Sequence, residues 1–225
     1  MSRTDLALRS VFDQLLERFG PQLWWPADGR FEMMVGAILT QNTAWRNVEM
    51  SIAALRQAEV LTPQALSRTS EETLQALIRS SGFYQRKSRC LKNLAEVICH
   101  EYQGRIDLFL AGDLLAVRQR LLCLSGIGPE TADCIILYAA KLPIFVVDAY
   151  TRRIFSRLGL LSAGADYDSI QQFAMQHLPA DVQLFNEFHA LLVELAKTCC
   201  RSRRPLCAAC PLSVSCYYAQ QMTSV

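Results

Sequence analysis

Apolar residues recur every three or four positions along nearly the whole chain, the period of helices that bury one face. Leu6, Val11, Leu15 and Leu16 form one such stripe and Leu114, Val117, Leu121 and Leu122 another. Start signals agree: Thr62-Pro63 and Ser70-Glu71-Glu72 set a capping residue before a proline or acids, as helix N-termini prefer. Gly20-Pro21, Gly82, Gly104, Gly126 and Gly159 punctuate the intervals. No β-hairpin pattern is present. The apolar run at 142–147 stands alone, and a lone strand cannot satisfy its backbone donors and acceptors. The pattern predicts an all-α fold of about ten helices.

The 225 residues allow one large domain or two small ones sharing a connected core. With 51% hydrophobic and 20% charged residues, disordered, collagen-like and coiled-coil classes do not fit. No apolar run is long enough to span a membrane and the first residues lack a signal-peptide core. A cytosolic location, on the nucleoid if the chain is bacterial, is therefore expected. Nine cysteines in a reducing compartment point to metal or iron–sulfur binding instead of disulfides. Cys90, Cys99, Cys123 and Cys134 are dispersed and read as small buried hydrophobes, whereas Cys199, Cys200, Cys207, Cys210 and Cys216 crowd into the tail. By chemistry alone, four thiols in Cys200-x6-Cys207-x2-Cys210-x5-Cys216 suit either tetrahedral zinc or a [4Fe–4S] cluster.

The net charge of +2 averages over unlike segments. Arg79, Arg86, Lys87, Arg89 and Lys92 follow one another without an intervening acid, as do Lys197, Arg201, Arg203 and Arg204 after Glu194. Solvated surfaces and nucleic-acid contacts both fit such runs. In LLCLSGIGPETADCIIL at 121–137, a helix end meets Gly126-Ile127-Gly128, and Pro129 opens a second helix. That reads as a helix-hairpin-helix whose backbone amides can hold a phosphate, or as an ordinary turn between helices. Asp148 follows the apolar run, at the head of the next helix. It reads both as an N-cap and as a partly shielded carboxylate aimed at a developing cation.

Hairpin, Asp148 and cysteine tail together resemble the endonuclease III, or helix-hairpin-helix-GPD, superfamily of DNA glycosylases, over most of residues 20–216. The resemblance implies two helical lobes, a six-helix lobe at 24–141 ending in the hairpin and a cluster lobe from 1–23 with 142–225, with the substrate cleft between them. It implies a [4Fe–4S] cluster on Cys200, Cys207, Cys210 and Cys216, leaving Cys199 a neighbour. Leu39-Thr40-Gln41-Asn42-Thr43 is similar to the family's helix-end loop, making Gln41 the filler of the gap left by an extruded base. Ser81-Gly82-Phe83-Tyr84 looks like the segment whose apolar residue wedges into the opposite strand, so Phe83 is the wedge candidate, with a buried helix-start anchor as the alternative. Arg86, Lys87, Gly126, Ile127 and Gly128 are the expected contacts to the DNA backbone.

One departure is informative. Where bifunctional members begin the hairpin's second helix with an imine-forming lysine, this chain has Glu130, and a glutamate cannot form an imine. A monofunctional hydrolase relying on Asp148 is implied. Trp24, Trp25, Pro26 and Trp45 read as core packing or as a base pocket, and together with the other motifs they resemble the endonuclease III-related 3-methyladenine glycosylases, whose cationic substrates suit indole faces. Oxidised pyrimidines, mismatched bases, or a catalytically silent DNA-binding iron–sulfur protein are the alternatives. The expected partner is double-stranded DNA with a damaged base, bound by a monomer.

Overall fold

The computed structural model describes residues 3–22, 24, 25 and 27–223, and all regular structure among them is helical. In chain order the helices are α1 (Arg3–Phe19), α2 (Arg30–Leu39), α3 (Trp45–Gln57), α4 (Pro63–Arg68), α5 (Glu71–Leu77), α6 (Tyr84–Glu101), α7 (Ile106–Phe109), α8 (Leu114–Leu122), α9 (Pro129–Ile135), α10 (Ala149–Leu158), α11 (Tyr167–His177), α12 (Val182–Thr198) and α13 (Tyr217–Thr223). The chain divides into two compact units, one of Met1–Trp24 with Pro143–Val225 and one of Trp25–Leu142. Among the described residues the second carries eight α-helices, α2 to α9, where six were expected. Of these, α4, α5 and α7 are only four to seven residues long, too short for a period of 3.6 to register in sequence. None of the described helices is long and apolar enough to cross a membrane.

In the Trp25–Leu142 unit, α2 is the central element. Every residue from Phe31 to Leu39 is buried, as befits a helix apolar on all sides, and α3, α6 and α9 pack around it. Short helices are fixed at their starts by the capping residues seen in sequence. Thr62 accepts the amide of Ala65 at 3.1 Å and Ser70 that of Thr73 at 3.1 Å, each contact worth about 1 kcal/mol. Beyond α9 the helix widens into a π-turn over Ile136–Ala140 and stops at left-handed Lys141, φ 58°.

In the other unit α12 forms the core, with α1 and α10 packed against it. Phe188 of α12 meets the rings of Phe12, Phe145 and Phe155 at 5.6, 5.8 and 6.4 Å. The run at 142–147 is extended without being a strand. Ile144 to Val147 are buried, and the Gln171 side-chain amide donates to the Phe145 carbonyl at 2.7 Å, which gives a lone buried segment part of what a neighbouring strand would provide. Of the four dispersed cysteines only Cys90 is buried; Cys99 and Cys134 are partly exposed and Cys123 is exposed. Their apolar sequence neighbours misplaced the last three, because a helix carries core and solvent positions side by side.

Candidate functional site

The hairpin joins α8 to α9, and its three central residues differ physically. Gly126 has φ 91°, and a Cβ there would stand 3.1 Å from Cys90 Cβ and 3.2 Å from its Sγ, so glycine is required for both conformation and space. Gly128 is extended at φ −95° and ψ 179°, and a Cβ would meet nothing within 4 Å. Ile127 is not the expected DNA contact: its side chain is buried, and its amide already donates to the Leu124 carbonyl at 3.1 Å. It anchors the turn. Arg118 on α8 clasps the buried carboxylate of Asp133 on α9 at 2.8 Å. Glu130 lies exposed in the first turn of α9, where a carboxylate suits the helix dipole.

Gln41 leaves the end of α2 and its amide nitrogen reaches the hairpin, donating to the Gly126 carbonyl and to Thr131 Oγ1, both at 3.0 Å. Phe83 is 63% exposed, not a buried anchor, and sits in the left-handed region at φ 47°. An exposed phenylalanine in that conformation, costing about 1–2 kcal/mol, is poor economy for folding alone. Gln41, Asn42, Phe83, Arg86 and Lys87 line one groove, and Gln41 and Arg86 also line the next, with Arg89, Cys90, Asn93, Ser125 and Gly126. A continuous surface therefore runs from Phe83 to the hairpin. Arg86 is exposed on it. Lys87 is not a phosphate contact. Only 2% of it is exposed, and its Nζ donates to the carbonyls of Leu39 at 2.9 Å and Ser81 at 2.7 Å. Its place on α6 turns it inward while Arg86 faces out.

The tryptophans separate. Trp25 and Trp45 stand edge to face, centroids 5.1 Å apart, and Trp25 also meets Tyr138 of the π-turn at 5.3 Å. With Gly36, Glu32, Glu49 and Arg56 they line a pocket. Trp45 Nε1 donates to Glu49 Oε1 at 2.9 Å. The Glu32 carboxylate is buried and accepts from Arg56 at 2.7 and 2.8 Å and from the Asp28 amide at 3.1 Å. Trp24 does not line this pocket; it belongs to the other unit, with Lys197 Nζ 5.2 Å from its ring centroid. Pro26 lies outside the described residues.

Asp148 is the N-cap of α10 and a largely buried carboxylate. Oδ1 caps α10 by accepting the Thr151 amide at 2.7 Å, while Oδ2 is 3.5 Å from His189 Nε2, with 12% of the side chain exposed. Burial pushes this carboxyl up, but His189 together with the amide and hydroxyl of Thr151 outweighs it and holds the group below the ordinary carboxylate range. His189 was missed in sequence. It is buried in the apolar middle of α12, and a lone histidine on such a helix carries no local mark of a partner forty positions away.

Cys199, Cys200, Cys207, Cys210 and Cys216 line one pocket, with no histidine or carboxylate among its lining residues. The thiols stand around it, and no three His, Cys, Asp or Glu among the described residues converge as for a single ion. Burial pushes the Cys207 thiol up, with Cys216 and Cys200 adding to it, and raises Cys210 to about 11. A lining with five thiols and no imidazole or carboxylate fits an iron–sulfur centre held by thiolates. Arginines of α10 grip this loop: Arg153 donates to the Cys200 carbonyl at 2.9 Å, and Arg157 to Cys200 Sγ at 3.3 Å and the Arg201 carbonyl at 2.7 Å. The helix capped by Asp148 thus also holds the cysteine loop.

Comparison with known proteins agrees with this architecture. A candidate DNA repair glycosylase of Methanocaldococcus jannaschii is 43% identical over 207 residues, 92% of this chain and 94% of that protein. An endonuclease III trapped in a covalent intermediate with DNA shares the fold, with a TM-score of 0.85 at 22% identity, covering 99% of this chain and 100% of that one. The H. pylori 3-methyladenine DNA glycosylase bound to 1,N6-ethenoadenine superposes with a TM-score of 0.75 at 28% identity, over 86% of this chain and 97% of that one. Residues 35–180 match the HhH-GPD superfamily of base excision DNA repair proteins, and the chain is a member of that superfamily.

Proposed function

We propose that this chain is a monofunctional DNA glycosylase that hydrolyses the N-glycosidic bond of a damaged base, an alkylated purine such as 3-methyladenine, extruded from double-stranded DNA. The observation that carries the proposal is the division of labour at Asp148: one oxygen caps α10, and the other lies 3.5 Å from the buried His189, with 12% of the side chain open to solvent. A carboxylate kept ionised stabilises the cationic sugar formed as the base departs and orients water for attack at C1′, as in other glycoside hydrolyses. The base must first leave the stack, with Gln41 filling its place and Phe83 wedging the opposite strand. Gly126, Gly128 and Arg86 hold the phosphates without reading sequence.

The lysine inventory supports hydrolysis over imine chemistry. The chain has four lysines. Lys87 is buried on two carbonyls, Lys92 donates to the Ser67 and Thr69 carbonyls, Lys197 lies over Trp24, and Lys141 sits exposed past the π-turn. The position expected for an amine holds Glu130. For substrate, the indoles of Trp25 and Trp45 with the Glu49 carboxylate, Glu32 being paired with Arg56 in the same lining, favour a cationic base, in keeping with the likeness to the H. pylori enzyme. Cys200, Cys207, Cys210 and Cys216 would hold a [4Fe–4S] cluster, which when bound cross-links the 200–216 loop.

The test is base release from a panel of lesion duplexes by wild type and Asp148→Asn. Wild type is expected to release alkylated purine and leave an intact abasic strand that breaks only with alkali, with no borohydride-trapped complex. Asp148→Asn, which can still cap, is expected to lose release and keep DNA binding. An active Asp148→Asn protein would confine Asp148 to capping, and release of oxidised pyrimidine or mismatched base in place of alkylpurine would reassign the pocket.

A further inference from the structure

We propose that Lys87 is a positioning residue that ties the Gln41 loop to the Phe83 turn, so that gap filler and wedge act on DNA as one rigid pair. The proposal rests on the reading of those two residues given above. Lys87 projects from the first turn of α6, and its Nζ bridges the carbonyl of Leu39, the last residue of α2, and that of Ser81, the last residue of the short 3-10 turn Arg79–Ser81. Each carbonyl lies two residues before the side chain in question, Gln41 in one loop and Phe83 in the other. Terminal carbonyls of helical turns lack an intrahelical donor and carry the negative end of the dipole, so one ammonium satisfies both.

The backbone beyond each anchor turns left-handed, a conformation that asparagine tolerates and phenylalanine adopts at a cost. Asn42 stands at φ 52° and Phe83 at φ 47°, and the latter persists only where the surroundings over-determine it. The two loops flank a single groove whose lining includes Lys87 itself. Among the described residues no carboxylate pairs with this ammonium, and burial lowers it to about 8. An ammonium buried on neutral carbonyls is costly, and a methionine would fill the same space more cheaply if packing were all that was needed. What lysine adds is a two-pronged donor at a fixed length from α6.

The experiment measures affinity for a duplex carrying a tetrahydrofuran abasic analogue and for the same duplex undamaged, with 2-aminopurine opposite the analogue reporting unstacking. In the unaltered protein, Gln41→Ala and Phe83→Ala should be non-additive on the analogue duplex by about fivefold or more. Lys87→Met should abolish that coupling, weaken analogue binding about tenfold more than undamaged binding, and suppress the 2-aminopurine rise, while Lys87→Arg, a charged donor, recovers part of each. Should Lys87→Met not fold, Lys87→Gln is read by the same comparison. Equal losses on both duplexes, or an unchanged coupling in the Lys87 variants, overturn the proposal. Additive Gln41→Ala and Phe83→Ala effects in the unaltered protein overturn it without any Lys87 variant. If neither single alanine variant affects analogue binding or fluorescence, it is the filler-and-wedge reading that fails.

Discussion

Two buried titratable side chains, His189 and Lys87, reach their partners across elements and set pH behaviour that can be measured. Asp148 is held below the ordinary carboxylate range against the effect of burial, with His189 the leading opposing cause. In His189→Ala the carboxyl therefore rises, and the acid limb of single-turnover base release is expected at higher pH than in wild type. An unmoved limb would mean that Thr151 and the helix start hold the charge unaided. For Lys87 the sign runs the other way from a paired lysine. Its folded pKa of about 8 lies below the ordinary lysine value of 10.5, so the cost of burying the ammonium is fully present below about pH 8 and is relieved between there and about pH 10.5, the window in which the unfolded chain binds the extra proton. The melting temperature of wild type is expected to rise relative to that of Lys87→Met across this window, and a flat difference would show that the buried amine carries no such cost.

At the level of elements, the hairpin separates residues needed for the turn from residues needed for its contact. Gly126→Ala forces a Cβ against Cys90 in a left-handed backbone and is expected to lower stability by about 1–2 kcal/mol. Gly128→Ala meets open space in an extended backbone. Its melting temperature should stay near wild type while binding weakens on damaged and undamaged DNA alike, since phosphate contacts position without specifying. Chemical denaturation and DNA titration of the two variants check this. Unchanged binding by a folded Gly128→Ala protein would remove the hairpin from the DNA surface. On α10, Asp148 at the N-terminus and Arg153 and Arg157 beyond it use one helix for two purposes, which is why the cysteine loop bears on the catalytic proposal without any step passing through it.

Across the whole molecule, the net charge of +2 is small, so DNA affinity depends on where charge sits, on surfaces such as Arg86 and Arg89 beside the hairpin. A [4Fe–4S] core held by four thiolates would contribute about −2 and cancel the formal excess. Purified protein is expected to contain about four iron atoms per chain. Cys200→Ala should lose them, and Cys199→Ala, whose thiol lines the same pocket 3.6 Å from the Ala209 carbonyl, should keep them. Zinc without iron after anaerobic purification would overturn the cluster, and loss of iron from Cys199→Ala would reassign the ligand set.

Local chemistry determined much of this protein. Helical period, capping residues such as Thr62, Ser70 and Asp148, the required glycine at 126 and the spacing of the tail cysteines are all properties of short segments, and each is readable because a turn, a cap or a ligand loop needs its residue types at fixed offsets. Residue orientation was not readable in the same way. Adjacent Arg86 and Lys87 belong to one basic run yet face water and core, Trp24 parts company with Trp25, Ile127 turns inside the hairpin, and Cys123 reaches solvent. The pairing of Asp148 with His189 and the grip of Lys87 on two loops depend on helices brought together from distant stretches of chain. Which side of a helix is buried, and against what, is set by the packing of the whole core, and only the tertiary structure contains that information.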